Sequence, residues 1–134
     1  MLENRKVVII GGSSGMGLAI AKAATAEGGE VVIASRSHDK LSRAASVIDG
    51  TVATHVLDVS NESAVEDFFG DLGEFDHLIT PGSTATIAPL AEQDTAVAKA
   101  GFDSKFWGQY FAAKHGSPQM CPGGSIILFS GISS

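Results

Sequence analysis

Val7-Val8-Ile9-Ile10 runs directly into Gly11-Gly12-Ser13-Ser14-Gly15-Met16-Gly17, and beyond that turn Leu18, Ala19, Ile20, Ala23 and Ala24 recur at helical spacing until Gly28-Gly29. This succession constrains the fold more than any other feature of the chain. A run of branched aliphatics without polar alternation is a strand covered on both faces, and a helix joined to it by a tight glycine turn is half of a β-α-β crossover. Gly28-Gly29 then supplies the stop that a helix commonly takes at its C-terminus.

The alternation continues along the chain. Glu30 to Ser35 reads as a second strand, Asp39 to Ile48 as a helix with Leu41, Ala44, Ala45 and Ile48 on one face, and Thr51 to Leu57 as a third strand. Asn61 to Leu72 sets Val65, Phe68, Phe69 and Leu72 at spacings of three and four, which predicts a third helix; His77 to Thr80 is a short fourth strand ended by Pro81-Gly82-Ser83. Residues 93–117 contain no proline, and Ala96, Ala100, Phe106, Tyr110, Ala113 and Lys114 predict one or two helical segments before a turn cluster from Pro118 to Gly124. Ser125 to Ser130 is the fifth strand.

No repeat, low-complexity tract or linker interrupts this pattern, so residues 1–134 read as one domain. Ile126 to Phe129 is an interior type of strand with only Ser130 to Ser134 behind it. The expectation is a chain cut short after its fifth strand, with the free strand edge and sheet face covered by a partner chain or a further C-terminal segment.

Composition narrows the function classes. At 44% hydrophobic and 18% charged over 134 residues, the chain can bury a core and is too apolar to be disordered. Fifteen acidic against nine basic side chains give a formal charge of −6, which argues against a nucleic acid or an anionic membrane as partner and requires any anionic ligand to be held locally. Cys121, the lone cysteine, has no partner for an internal disulfide, and His38, His55, His77 and His115 are scattered, so no metal site is expected. A reducing, cytoplasmic setting is the expectation. No run approaches the roughly 18 apolar residues of a membrane span, and the run after Arg5-Lys6 is too short for a signal sequence.

The chemistry concentrates in the first turn. Glycines there permit positive φ and close approach of the backbone to a pyrophosphate, while N–H groups at the helix start attract the anion. The loop is not a P-loop, because Leu18-Ala19 rather than lysine and Ser/Thr follows Gly17. Nor is it G-x-G-x-x-G: the glycines fall as G-x-x-x-G-x-G at Gly11, Gly15 and Gly17.

On that motif the chain resembles the short-chain dehydrogenase/reductase family, whose T-G-x-x-x-G-x-G is matched by Ile10 to Gly17 with Ile10 in place of threonine. Asp58-Val59 after the third strand, Phe75-Asp76-His77-Leu78-Ile79 at the fourth, and Gly124-Ser125-Ile126-Ile127 with Ser130 at the fifth extend the resemblance in register over essentially all 134 residues, the N-terminal portion of the family domain. It implies a Rossmann-type, doubly wound parallel α/β sheet ordered 3-2-1-4-5, with a dinucleotide at the carboxyl ends of the strands where the order reverses. It also implies hydride transfer between a nicotinamide and a small-molecule carbonyl or alcohol. The cofactor positions implied are Gly11, Ser13, Ser14, Gly15, Met16 and Gly17 at the diphosphate, Asp58 and Val59 at the adenine, and Pro81, Gly82 and Ser83 beside the cofactor.

The residue ending the second strand decides between the two nicotinamide cofactors. A carboxylate there would hold a ribose 2′-hydroxyl and repel a 2′-phosphate. Here it is Ser35-Arg36-Ser37, with Lys40 nearby, and the forked, permanently charged guanidinium favours NADP(H).

For catalysis the family uses a serine and a Tyr-x-x-x-Lys pair on one helix face. A literal match occurs at Tyr110 and Lys114, but it precedes the fifth strand, whereas the family's pair follows the strand's serine; a packing or interface tyrosine with a solvated lysine is the better reading. The family's pair is therefore expected to be missing from this chain. Ser130 aligns with the first position of the family's Ser-Ser and Gly131 with the second, which leaves Ser130 and Ser133 as candidate serines. Two positions depart from the family: Thr80-Pro81-Gly82-Ser83 replaces Asn-Asn-Ala-Gly, and Lys105 stands where the helix asparagine of the proton relay belongs. Lys105 is a candidate relay residue. The alternatives to an enzyme are an NADP(H)-binding sensor or interaction module without turnover, or a scaffold half, and a homo-oligomer through residues 93–117 is expected.

Overall fold

The computed structural model describes residues 1–11, 15–81 and 88–130. In chain order it contains β1 (Lys6–Ile10), α1 (Gly15–Ala26), β2 (Glu30–Ser35), α2 (His38–Val47), β3 (Val52–Val56), α3 (Glu62–Leu72), β4 (Phe75–Thr80), α4 (Thr95–Phe102), α5 (Gly108–Gly116) and β5 (Met120–Leu128). The five strands form one parallel sheet ordered β3-β2-β1-β4-β5, the arrangement expected of a doubly wound fold.

Side chains alternate across this sheet and build a core on each face. Val7, Ile9, Val31 and Ile33 point one way and pack with Ala21 and Ala24 of α1 and Leu41 and Ala44 of α2. Val8, Ile10, Val32 and Leu78 point the other way, onto Val65, Phe68 and Phe69 of α3 and Ala112 of α5. The small residues of α1 let that helix lie close to β1 and β2. On the opposite face aromatics fill the space under α3, with Phe69 edge-on to Phe68 and tilted against Phe75 at ring separations of 5.0 and 5.7 Å.

Helix starts are set locally. Ser37 caps α2 by accepting from the Lys40 N–H, Asn61 caps α3 by accepting from Ala64, and Asp94 caps α4 by accepting from Ala96. The amino ends of β1 and β4 are joined by Asp76, whose carboxylate accepts from the Lys6 N–H at 2.8 Å and from Arg5 Nη1 at 3.3 Å. The Lys6 amide, and after it Arg5, holds this carboxyl below the usual range against the opposing effect of burial.

The expected bounds of the fifth strand are corrected. The turn cluster Pro118 to Gly124 lies largely inside β5, which begins at Met120 rather than Ser125 and ends at Leu128 rather than Ser130. β4 pairs Phe75 with Met120 and next His77 with Ser125, so residues 121–124 bulge out of the ladder, and the proline and glycines mark this bulge rather than a turn before the strand. The stretch 93–117 forms two helical segments, as expected, α4 and α5, joined by a π-helical segment Asp103–Trp107. β5 is an edge strand among the described residues, and Ile127 and Leu128 remain about half exposed.

Candidate functional site

The carboxyl ends of the strands gather most of the predicted site residues along one edge. Gly11 leaves β1 with φ +94° and its N–H donates to the Ala34 carbonyl of β2 at 2.7 Å. Gly15 opens α1 with φ +56°, a left-handed conformation that favours glycine, and nothing lies within 4 Å of where its Cβ would stand. Among the described residues, none outside its own helix and chain neighbours crowds that side, which leaves room for a ligand to approach the backbone there. Met16 is exposed, and Gly17 is buried on α1. Gly12, Ser13 and Ser14 lie outside the described residues.

At the β2 and β3 ends, the Leu57 N–H donates to the Ser35 carbonyl at 2.9 Å, which brings the loops after the two strands side by side. Arg36 is exposed there, and its positive charge reaches Asp58. Asp58 folds back on its own loop: Oδ1 accepts from Ser60 Oγ at 2.6 Å and from the Ser60 N–H at 3.0 Å. The Ser60 hydroxyl is the largest cause of its lowered pKa, and Arg36 contributes. Ser37 spends its side-chain oxygen on the α2 cap and retains a hydroxyl hydrogen to donate. Val59 packs into the core, and α5 crosses it so closely that a Cβ on Gly108 would come within 2.7 Å of Val59 Cγ2. The helix therefore sets the height of the Asp58 loop.

At the β4 and β5 ends lies a groove of about 660 Å³ whose lining includes Arg36, Phe102, Lys105, Tyr110, Phe129 and Ser130. Lys105 and Ser130, the two candidate catalytic residues, thus share one cavity. Pro81 follows β4; Gly82, Ser83, Gly131 and Ser133 lie outside the described residues.

A residue that the sequence analysis did not single out ties this end together. Gln109 Oε1 accepts from Thr80 Oγ1 at 2.8 Å and from the Phe129 N–H at 2.7 Å, while Nε2 donates to the carbonyls of Phe129 at 2.7 Å and Lys105 at 2.8 Å. The available signal was a carboxamide directly after a buried helical glycine, in a helix whose neighbouring residues are aromatic or small.

Tyr110 and Lys114 have different partners. Tyr110 lines the groove with its ring edge-on to Trp107, but Lys114 Nζ donates to Glu62 Oε2 at 3.0 Å, and His115 Nε2 lies 2.8 Å from the same oxygen. Glu62 raises the Lys114 pKa, and His115 followed by Lys114 lowers that of Glu62. This cluster clamps α5 to the start of α3. Cys121 has its pKa raised, first by burial, which disfavours the reactive thiolate. Among the described residues no three His, Cys, Asp or Glu side chains gather as a metal set, and no helix is long and apolar enough to cross a membrane.

Known proteins with similar sequences and structures share this framework. A probable 2,4-dienoyl-CoA reductase of Bacillus subtilis (strain 168) is 33% identical over 126 residues, covering 85% of this chain and 49% of the relative. A 3-dehydrosphinganine reductase of Arabidopsis thaliana is 33% identical over 123 residues, covering 89% of this chain and 38% of the relative. The crystal structure of BdcA in complex with NADPH superimposes with a TM-score of 0.87 over 95% of this chain and 52% of that one; at 24% identity the likeness speaks for the fold alone. The chain spans about half, or less, of the length of these relatives. Residues 5–134 match the profile described as short chain dehydrogenase, and with the parallel sheet and the glycine turn at its carboxyl edge, the chain belongs to the short-chain dehydrogenase/reductase family.

Proposed function

We propose that this chain is the cofactor-binding portion of an NADP(H)-dependent oxidoreductase that moves hydride between the nicotinamide and a small-molecule carbonyl or alcohol, working in the cytoplasm. The observation that carries the reading is that an exposed Arg36 after β2 and Asp58 after β3 leave neighbouring strand ends, on the same edge of the sheet as the positive-φ Gly15. A dinucleotide fits this donor set. The first-turn N–H groups of α1, at Gly15, Met16 and Gly17, have no acceptor within their own helix and suit a diphosphate, to which the glycine motif also assigns Gly11, Ser13 and Ser14.

Arg36, with Ser35 and Ser37, suits a ribose 2′-phosphate. Asp58 stays ionised well into the acid range and is then an acceptor, as an adenine amino group requires. Val59 fixes its loop, Pro81 follows β4 on the nicotinamide side, and the resemblance assigns Gly82 and Ser83 to the cofactor as well. When bound, the cofactor would supply or take the hydride; Ser130 would orient the substrate oxygen, and Lys105, which lines the same groove, would relay the proton that accompanies it. A second reading, binding without turnover, draws on Thr80, whose position the family gives to asparagine and whose hydroxyl is engaged by Gln109. Exposed Phe102, Phe106 and Trp107 support a homo-oligomer through residues 93–117.

Titration of the intact protein with NADPH and NADH tests the cofactor reading. Replacing Arg36 by alanine is expected to weaken NADPH binding about tenfold to a hundredfold, the value of a lost charged hydrogen bond, and to leave NADH unchanged. An unaltered preference would overturn the assignment to NADP(H). NADPH oxidation across a panel of carbonyls separates turnover from binding alone.

A further inference from the structure

The β4–β5 ladder stops at the pair Thr80 and Leu128. Pro81 follows β4 and has no N–H, so the chain has no further donor to offer immediately beyond Thr80. Phe129 nevertheless has both its N–H and its carbonyl satisfied, by a single side chain: the Gln109 carboxamide receives the Phe129 N–H and donates back to the Phe129 carbonyl, both at 2.7 Å. A peptide unit of a neighbouring strand would do the same. The second lone pair of Oε1 takes the Thr80 hydroxyl, and the second hydrogen of Nε2 goes to the Lys105 carbonyl. The four bonds use the full capacity of a primary amide, and they favour one orientation, since the flipped amide would set NH2 against the Phe129 N–H and its oxygen against the carbonyls of Phe129 and Lys105.

The Thr80 hydroxyl also lies 3.3 Å from the Ile127 carbonyl; with one hydrogen to give, it goes to Gln109 at 2.8 Å. The three groups so joined are the last residue of β4, the residue preceding Ser130, and Lys105 within the π-helical segment, where the helical ladder slips by one residue. These are the positions at which the reactive end of the site is assembled.

We propose that Gln109 is a positioning residue that fixes Ser130 and Lys105 relative to the end of β4, and so shapes the nicotinamide and substrate end of the groove without touching the adenosine end. This rests on the reading of the site as an NADP(H)-dependent one. Gln109→Leu keeps the bulk of the side chain and removes all four bonds. Displacement of a serine and a relay residue by an ångström is enough to slow such a reaction about a hundredfold.

The test compares the intact wild-type protein with Gln109→Leu, using 2′,5′-ADP as a probe of the adenosine end and NADPH emission as a probe of the nicotinamide end. The variant is expected to bind 2′,5′-ADP as the wild type does, to lose the altered emission of bound NADPH, and to fall at least tenfold in kcat with a smaller change in the KM for NADPH. Thr80→Ser keeps the donor and is expected to retain the wild-type emission, whereas Thr80→Val is expected to lose part of it. Wild-type emission and kcat in Gln109→Leu would overturn the inference, as would identical behaviour of the two Thr80 variants should Gln109→Leu fail to fold. A wild-type protein that binds neither probe would overturn the cofactor reading beneath it, a result distinct from retention in the variant.

Discussion

The two sides of the sheet's centre are built differently. β1 and β2 are buried on both faces, with Val8, Ile9, Ile33 and Ala34 inaccessible to solvent, and their loops deliver Gly11, Ser35 and Arg36 from a rigid floor. β5, by contrast, bulges at residues 121–124, leaves Ile127 and Leu128 half exposed, and has its end held by side-chain hydrogen bonds from α5. Apolar packing secures the region that presents Arg36. Directed polar contacts organise the region that presents Ser130 and Lys105. Packing is tolerant of sequence as long as volume is conserved, whereas a saturated amide network fails when one member is lost.

The largest expected difference between the regions is in stability. Phe69 is fully buried between α3 and the sheet, and Phe69→Ala should lower the unfolding free energy by about 3–5 kcal/mol, read from urea denaturation. A loss below about 1 kcal/mol would mean that this core collapses around the cavity more readily than its packing indicates. Gly108→Ala comes next. The added methyl improves helix propensity but drives into Val59, whose branched side chain has little rotamer freedom, so a net loss of about 1–3 kcal/mol is expected, together with weaker 2′,5′-ADP binding through the displaced Asp58 loop. Unchanged nucleotide affinity would separate α5 from the adenosine end and sharpen the division between the regions.

Acid sensitivity should be shared by both. Asp58, Glu62 and Asp76 have folded pKa values below their ordinary ones, so each stabilises the fold above its unfolded pKa near 4, and the contribution fades as pH falls through the lower folded value. Urea midpoints should therefore fall as pH drops from 5 towards 3. Asp76→Asn should be the less stable protein at pH 7 and show a smaller acid-side decline than the wild type; an equal decline would remove the β1–β4 seam from the account. The smallest effect is expected on the open face, where Phe106→Ser should change monomer stability by less than about 0.5 kcal/mol, since Phe106 is 57% exposed. A larger loss that depends on protein concentration would show that this face is covered in solution.

Reading residues in order recovered the well-packed region closely. The strands ending at Ile10 and Ser35, the helix stop at Gly28 and the start of α3 after Asn61 all follow from local chemistry: branched aliphatics without alternation, glycine at a turn, and a side-chain acceptor at a helix start. At β5 the same rules misplaced the strand start, because Pro122, Gly123 and Gly124 signal a break whether the chain turns or merely bulges. The choice depends on what Asp76 and His77 offer across the ladder. Gln109 was passed over for a similar reason. Its four partners come from residues 80, 105 and 129, and nothing local to position 109 announces them.

The sequence by itself determined the succession of elements, the parallel class of the sheet and the character of the first turn, because propensity, periodicity and glycine's freedom act over a few residues at a time. It also placed a cation, Arg36, at the end of β2. The tertiary structure decided which of these features meet. Lys114 was paired with Glu62, Asp58 was brought within reach of the Arg36 charge, and the end of β5 was closed by a side chain of α5. Such pairings depend on distances between elements far apart in the chain, and those distances are fixed once both cores have packed.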